Sequence, residues 1–172
     1  MLGRSPRPAA LRRAHTGREA ARSQARWALF NNSYRRLFPS LWVKFDALVD
    51  NGQITSTREV LNEINDGPED AAWEWANAHP EVFTTPTAEE GAFVARIFAI
   101  PHFQQTIERS KLLKGGHHAN AFVIAKAFVV QGTAVTMEGL KPNAAKIRNI
   151  CQHFRIPCMS LEEFMEAEGW RF

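Results

Sequence analysis

From Pro39 to the end of the chain, apolar residues recur alternately at helical and at strand spacing, with polar punctuation between the blocks. The run LWVKFDALVDNG has apolar positions three to four apart and ends in Asn-Gly, which predicts a helix over about residues 39–50. A short strand QITS follows. Ser56 and Glu59 stand at capping-box spacing, opening a helix that carries Val60, Leu61 and Ile64 and stops at DGPED. A helix over about 69–78 presents Trp73, and VFTT reads as a strand or extended chain before Pro86. Thr87 and Glu90 form a second capping box, for a helix that reaches Ile100. Pro101 breaks it, and another helix over about 102–113 ends at Gly115-Gly116.

The second half repeats this alternation. Ala121 to Val130 is almost entirely apolar, with Lys126 its only charge, and Asn120 before it reads as the N-cap of a helix. Gly132 ends that run and TAVTM is a strand. Pro142 and Asn143 open a helix AAKIRNICQHF, IPCMS is a short strand, and Ser160 with Glu163 boxes the last helix. Short apolar strands separated by helices predict an α/β fold in which helices cover both faces of a small parallel sheet. At 172 residues and 45% hydrophobic content the chain suits one globular domain.

Charge divides the chain. Residues 1–26 hold seven arginines against one acid, Glu19, a formal +6; the remaining residues hold 14 basic and 17 acidic side chains, a formal −3. The body is mildly acidic, so the pI of about 9.1 is no argument for nucleic-acid binding. The leader has no long apolar stretch, which excludes a secretory signal, and no segment approaches a membrane span. It reads as a disordered basic arm, an organelle transit peptide or an artefactual beginning, standing outside a domain over 27–172. Cys151 and Cys158 are too few for a disulfide framework and read as free thiols in a reducing cytoplasm.

In a parallel α/β sheet, ligands bind beyond the carboxyl ends of the strands. Glu138 follows TAVTM directly, Glu63 lies on the helix after QITS, and Asn120 starts the helix before TAVTM. Each also has a plain structural reading: Glu63 as a solvent-facing helix carboxylate, Glu138 as a strand-end residue and Asn120 as a cap. Lys141, Lys146 and Arg148 lie just beyond Glu138, where they meet either a phosphate backbone or solvent. His117 and His118 lack further ligands at zinc spacing. Cys151 and His153, two apart on a helix, point in different directions and make a weak nucleophile and base. The Trp and Phe residues read as core.

Those residues carry a resemblance. The order V-x-x-E-I at Val60–Ile64, A-N-A-F-V-I-A at Ala119–Ala125, V-T-M-E at Val135–Glu138, then A-K-I-R-N-I-C and a terminal G-W-R-F, resembles a PIN-like domain. More narrowly it is similar to the bacterial PIN-like group filed as domain of unknown function 4411. The resemblance implies a three-layer fold with a short parallel sheet between helices. It also implies a metal-dependent endoribonuclease, in several members a toxin paired with an antitoxin protein. Such a site gathers three or four carboxylates around Mg²⁺ or Mn²⁺, which activates a water and neutralises charge on the phosphodiester.

By that resemblance Glu63 and Glu138 match metal-ligating acids, Asn120 stands where the pattern has Asp, and Lys146 and Arg148 are candidate phosphate contacts. The pattern's first strand, ending in Asp-x-Asn, has no counterpart: no acid occurs between Glu19 and Asp46, and WALFNNS reaches only Asn31. The expectation is a cytoplasmic endoribonuclease, catalytically impaired, with RNA, an antitoxin-like protein and a second copy of the chain as candidate partners. The alternative is a non-catalytic module binding RNA or an antitoxin-like protein.

Overall fold

A computed structural model describes residues 20–21, 35, 37–104 and 119–171. The expectations for the rest of the leader, for 105–113, for Gly115-Gly116 and for His117 and His118 lie outside the described residues. The elements are β1 (Ala20–Ala21), α1 (Pro39–Asp50), β2 (Ile54–Thr57), α2 (Arg58–Asn65), α3 (Ala71–Ala78), β3 (Phe83–Thr84) and α4 (Ala88–Phe98). After a helical stretch at 101–104 come α5 (Ala119–Val129), β4 (Ala134–Val135), α6 (Ile147–Phe154), β5 (Cys158–Met159) and α7 (Leu161–Ala167).

All strand pairs are parallel. In one sheet β2 lies between β1 and β3, pairing Ala20 with Ile54, Ala21 with Thr55, Ser56 with Phe83 and Thr57 with Thr84. In the other, Ala134 pairs with Cys158 and Val135 with Met159. β4 packs beside β1, so the strands lie side by side in the order β3-β2-β1-β4-β5. The α/β expectation therefore holds. Ala20–Ala21, within the Arg-rich leader, form a strand against β2. Strand pairing uses backbone N–H and C=O groups that every non-proline residue carries, so hydrophilic neighbours in sequence do not prevent it.

The core explains the long apolar run. Helix α5 packs against β1, β2, β4, α2, α4 and α6, and buries Ala119, Ala121, Val123, Ile124, Ala125, Lys126 and Ala127. A helix surrounded on this scale has few positions left for polar side chains. Its one charge is neutralised inside the protein. Lys126 Nζ donates to Glu90 Oε1 at 2.9 Å, with both side chains almost fully buried. Trp42, Phe45, Trp75, Phe93 and Phe164 complete the core, while Trp73 is partly buried and Phe38 and Phe128 are exposed.

Local signals fix most helix ends. Helix α1 spans Pro39–Asp50 with proline in its first turn, and the chain leaves it through Asn51 and Gly52, whose φ of 66° suits glycine. The capping boxes at Thr87 and Glu90 and at Ser160 and Glu163 both form. The box at Ser56 and Glu59 does not. The strand continues through Thr57, which becomes the N-cap of α2 without a side-chain bond, so Ser56 is one residue too early to cap. Helix α6 begins at Ile147 rather than beside Pro142, because Asn143 adopts a left-handed φ of 54° that ends helical continuity. No helix among the described residues is long and apolar enough to cross a membrane.

Candidate functional site

Within each sheet the parallel strands point their carboxyl ends the same way, and the candidate residues stand after β2, after β4 and in α5 between them. Helix α2 starts immediately after β2, and Glu63, half-buried, is its sixth residue. Helix α5 leads into β4 through a short turn and runs back along the sheet, which puts its amino-terminal end toward the carboxyl end of β4. Asn120, exposed, lies in that first turn. Glu138, half-buried, stands three residues past Val135. The three elements are joined by α5, which packs against both α2 and β4.

Asn120 is not the cap the sequence suggested. The helix already includes Ala119, so Asn120 is inside its first turn and the cap position lies outside the described residues.

Glu138 has a structural job that its position after a strand did not reveal. Lys146 is the N-cap residue of α6, extended at φ −84° and ψ 162°, and a lysine side chain has no oxygen with which to accept an amide hydrogen. Instead Ile147 N–H donates to Glu138 Oε2 at 2.9 Å. The Glu138 amide donates to the buried Thr136 Oγ1 at 3.1 Å, which fixes the turn. Negative charge at a helix start is also favoured by the helix dipole. The loop between them is held by Asn149, whose Nδ2 donates to Lys141 O at 2.8 Å.

Arg148, read from the sequence as a candidate phosphate contact, is engaged in a surface ion pair. It pairs with Glu163 and lines a small cavity with Cys158, so a phosphate would have to compete with Glu163. The Glu163 carboxyl is held below the ordinary carboxylate range, first by the hydrogen bond that Ser160 N–H donates to Oε2 at 2.5 Å and then by the Ser160 hydroxyl and Arg148. Lys146 is half-buried.

Two hydroxyls at the end of β2 escaped sequence reasoning. Ser56 Oγ and Thr57 Oγ1 are buried and accept or donate no hydrogen bond. Ser56 was assigned to capping by its spacing, and nothing in a strand pattern marks a buried hydroxyl as unsatisfied. The Glu90–Lys126 pair was also missed as a pair; the signal was a lone lysine in an apolar run. Among the described residues, no group of three or more His, Cys, Asp or Glu side chains is arranged to hold a metal ion. A cavity of about 650 Å³, lined by Phe93, Arg96, Phe128 and Phe154 among others, opens toward the opposite end of α5 and includes none of the candidate residues.

No curated protein and no solved structure matches the chain. A family model described as a domain of unknown function, DUF4411, matches residues 27–172, a span that contains Glu63, Asn120 and Glu138 and most of the fold. The chain belongs to the DUF4411 family.

Proposed function

We propose that this chain is a PIN-like domain acting on RNA as a divalent-metal endoribonuclease of the toxin-antitoxin type, its metal site reduced to the carboxylates of Glu63 and Glu138. The strand order β3-β2-β1-β4-β5 carries this reading. The chain builds outward from β1 first on one side and then on the other, and in such sheets the ligand crevice opens at the carboxyl end where the order reverses. Glu63 follows the strand on one side of β1, Glu138 the strand on the other, and Asn120 heads the helix that crosses both.

The donor set fits a hard divalent cation. Two carboxylates and an amide oxygen match the oxygen preference of Mg²⁺ and Mn²⁺, and such ions keep several waters when protein ligands are few. Bound there, the ion supplies activation of a water and neutralisation of charge on the phosphodiester. Glu63 and Glu138 hold the cation, Asn120 lines the site without adding charge, and Lys146 meets the phosphate backbone. Arg148 joins it only by leaving Glu163. An antitoxin-like protein and a second copy of the chain are the partners this reading implies, in the cytoplasm.

A second reading, a module that binds RNA or an antitoxin-like protein without cleaving, is favoured by one observation: Glu138 already gives an oxygen to Ile147 N–H. Incubating the full chain with single-stranded RNA in Mn²⁺ and in EDTA separates the two. Cleavage in Mn²⁺ and none in EDTA supports the nuclease. RNA retained intact under both conditions selects the binding module, and neither cleavage nor retention overturns the nuclease and leaves the module only an antitoxin-like protein to bind.

A further inference from the structure

Helix α6 and strand β5 bring the two cysteines of the chain together. The helix ends in a Schellman motif: Arg155 adopts φ 57° and ψ 38°, its N–H donates to Gln152 O at 3.3 Å, and Ile156 N–H donates to Cys151 O at 2.9 Å. That turn folds β5 back along the helix. It packs β5, which begins at Cys158, against α6, which carries Cys151, with Cys158 beside Arg148 and Gln152 of that helix. The group that perturbs the Cys151 thiol is Cys158 and not His153, whose exposed ring packs against Phe103 and Phe154.

The two sulfurs are unequal. Cys151 is fully buried, whereas Cys158 is half-exposed and lines a cavity of about 240 Å³ with Leu140, Arg148, Gln152 and Ile156. We propose that Cys158 is a peroxide-sensitive thiol and Cys151 its resolving partner, the pair closing to an intramolecular disulfide.

Cys158 has the character of the attacking thiolate. The Cys151 S–H donates to it and lowers its pKa, as does the Arg148 guanidinium; burial and the Glu163 carboxylate oppose them. The same hydrogen bond, with burial, pushes the Cys151 thiol up, so Cys151 stays protonated until Cys158 has reacted. With a hydroperoxide as oxidant, the Cys158 thiolate attacks the distal peroxide oxygen. The O–O bond breaks, and the sulfenic acid and an alcohol or water form once a proton is taken up. Cys151 then gives up its proton and attacks the Cys158 sulfur. The S–S bond forms as the S–O bond breaks, with loss of water. The hydroperoxide is reduced by two electrons and the two thiols are oxidised by two.

The test is mass spectrometry of the intact chain after stoichiometric hydrogen peroxide, with dimedone to trap sulfenic acid. The parent is expected to lose about 2 Da and yield a peptide joining Cys151 to Cys158. Cys151→Ala is expected to trap dimedone at Cys158, and Cys158→Ala to leave Cys151 unmodified. Arg148→Met is expected to slow alkylation of Cys158 at neutral pH by roughly threefold or more. Should a buried-site variant misfold, the parent still decides. Two intact thiols, a disulfide only between chains, or modification of Cys151 before Cys158 would overturn the proposal.

Discussion

Glu90 and Glu138 are both glutamates that accept a backbone N–H at a helix start, one in the interior and one beyond β4. Glu90 Oε2 accepts Thr87 N–H at 3.4 Å, and its Oε1 takes the ammonium of Lys126. Glu138 Oε2 accepts Ile147 N–H, and no salt bridge joins Glu138 to a basic side chain among the described residues. Glu90 spends its charge on a lysine inside the protein, where both are cut off from solvent. Glu138 spends only an oxygen lone pair. Similar cap geometry therefore leaves one carboxylate paired with a buried ammonium and the other without an ion pair among the described residues.

Breaking the interior pair gives the largest effect. Lys126→Met leaves a buried carboxylate without its counter-charge, and removing one partner of such a pair costs about 3–5 kcal/mol. Urea unfolding of Lys126→Met, and of the double variant with Glu90→Gln, measures it. The double variant should recover a large part of the loss, since neither group is then charged. A Lys126→Met protein as stable as the parent would mean that the pair is not buried as described.

Glu138 separates acceptor from charge. Glu138→Ala removes the acceptor for Ile147 N–H and should cost about 1 kcal/mol, as loss of a capping acceptor does. Glu138→Gln keeps a carbonyl oxygen in place and should cost roughly half of that or less. Equal losses in the two variants would show that the charge, not the acceptor, holds the start of α6.

The smallest effect belongs to Glu163, fully exposed in its capping box. Its folded pKa lies below the unfolded one, chiefly because Ser160 N–H bonds its carboxylate. Its contribution is therefore complete above the ordinary carboxylate range and is lost as the pH falls through the lowered folded value. Carboxyl NMR titration of the parent and of Ser160→Ala checks this. The Ser160→Ala midpoint should move upward, because the hydroxyl bond is gone.

The same contrast explains how much could be read in advance. Helix α1 was legible to the residue, since a proline opens it and Asn-Gly closes it within the local sequence. The boxes at Thr87 and Ser160 were legible for the same reason. Ser56 failed by one residue, because tertiary pairing of β2 with β3 extends the strand to Thr57 and no local signal records that. Glu138 was visible as a strand-end acid, but its capping partner lies nine residues later, across a loop with a left-handed Asn143. Glu90 looked complete as a cap. Its ion pair joins positions 36 apart, which only the packing of α4 against α5 brings together. Asn120 was misplaced because helix α5 already includes Ala119. The β1 strand was hidden because two paired residues need no hydrophobic signature.

In the proposed site Glu63 and Glu138, unlike Glu90 in the interior, hold a divalent cation. Calorimetric titration of the full chain with Mn²⁺ tests it most directly, with Glu138→Gln as the informative variant because it retains the hydrogen bond to Ile147. Glu138→Gln is expected to weaken Mn²⁺ binding by about tenfold or more at nearly unchanged stability, and Asn120→Asp to strengthen it, since the affinity of hard cations rises with ligand charge. Mn²⁺ binding that is absent in the parent, or unchanged by Glu138→Gln, would contradict the proposed site.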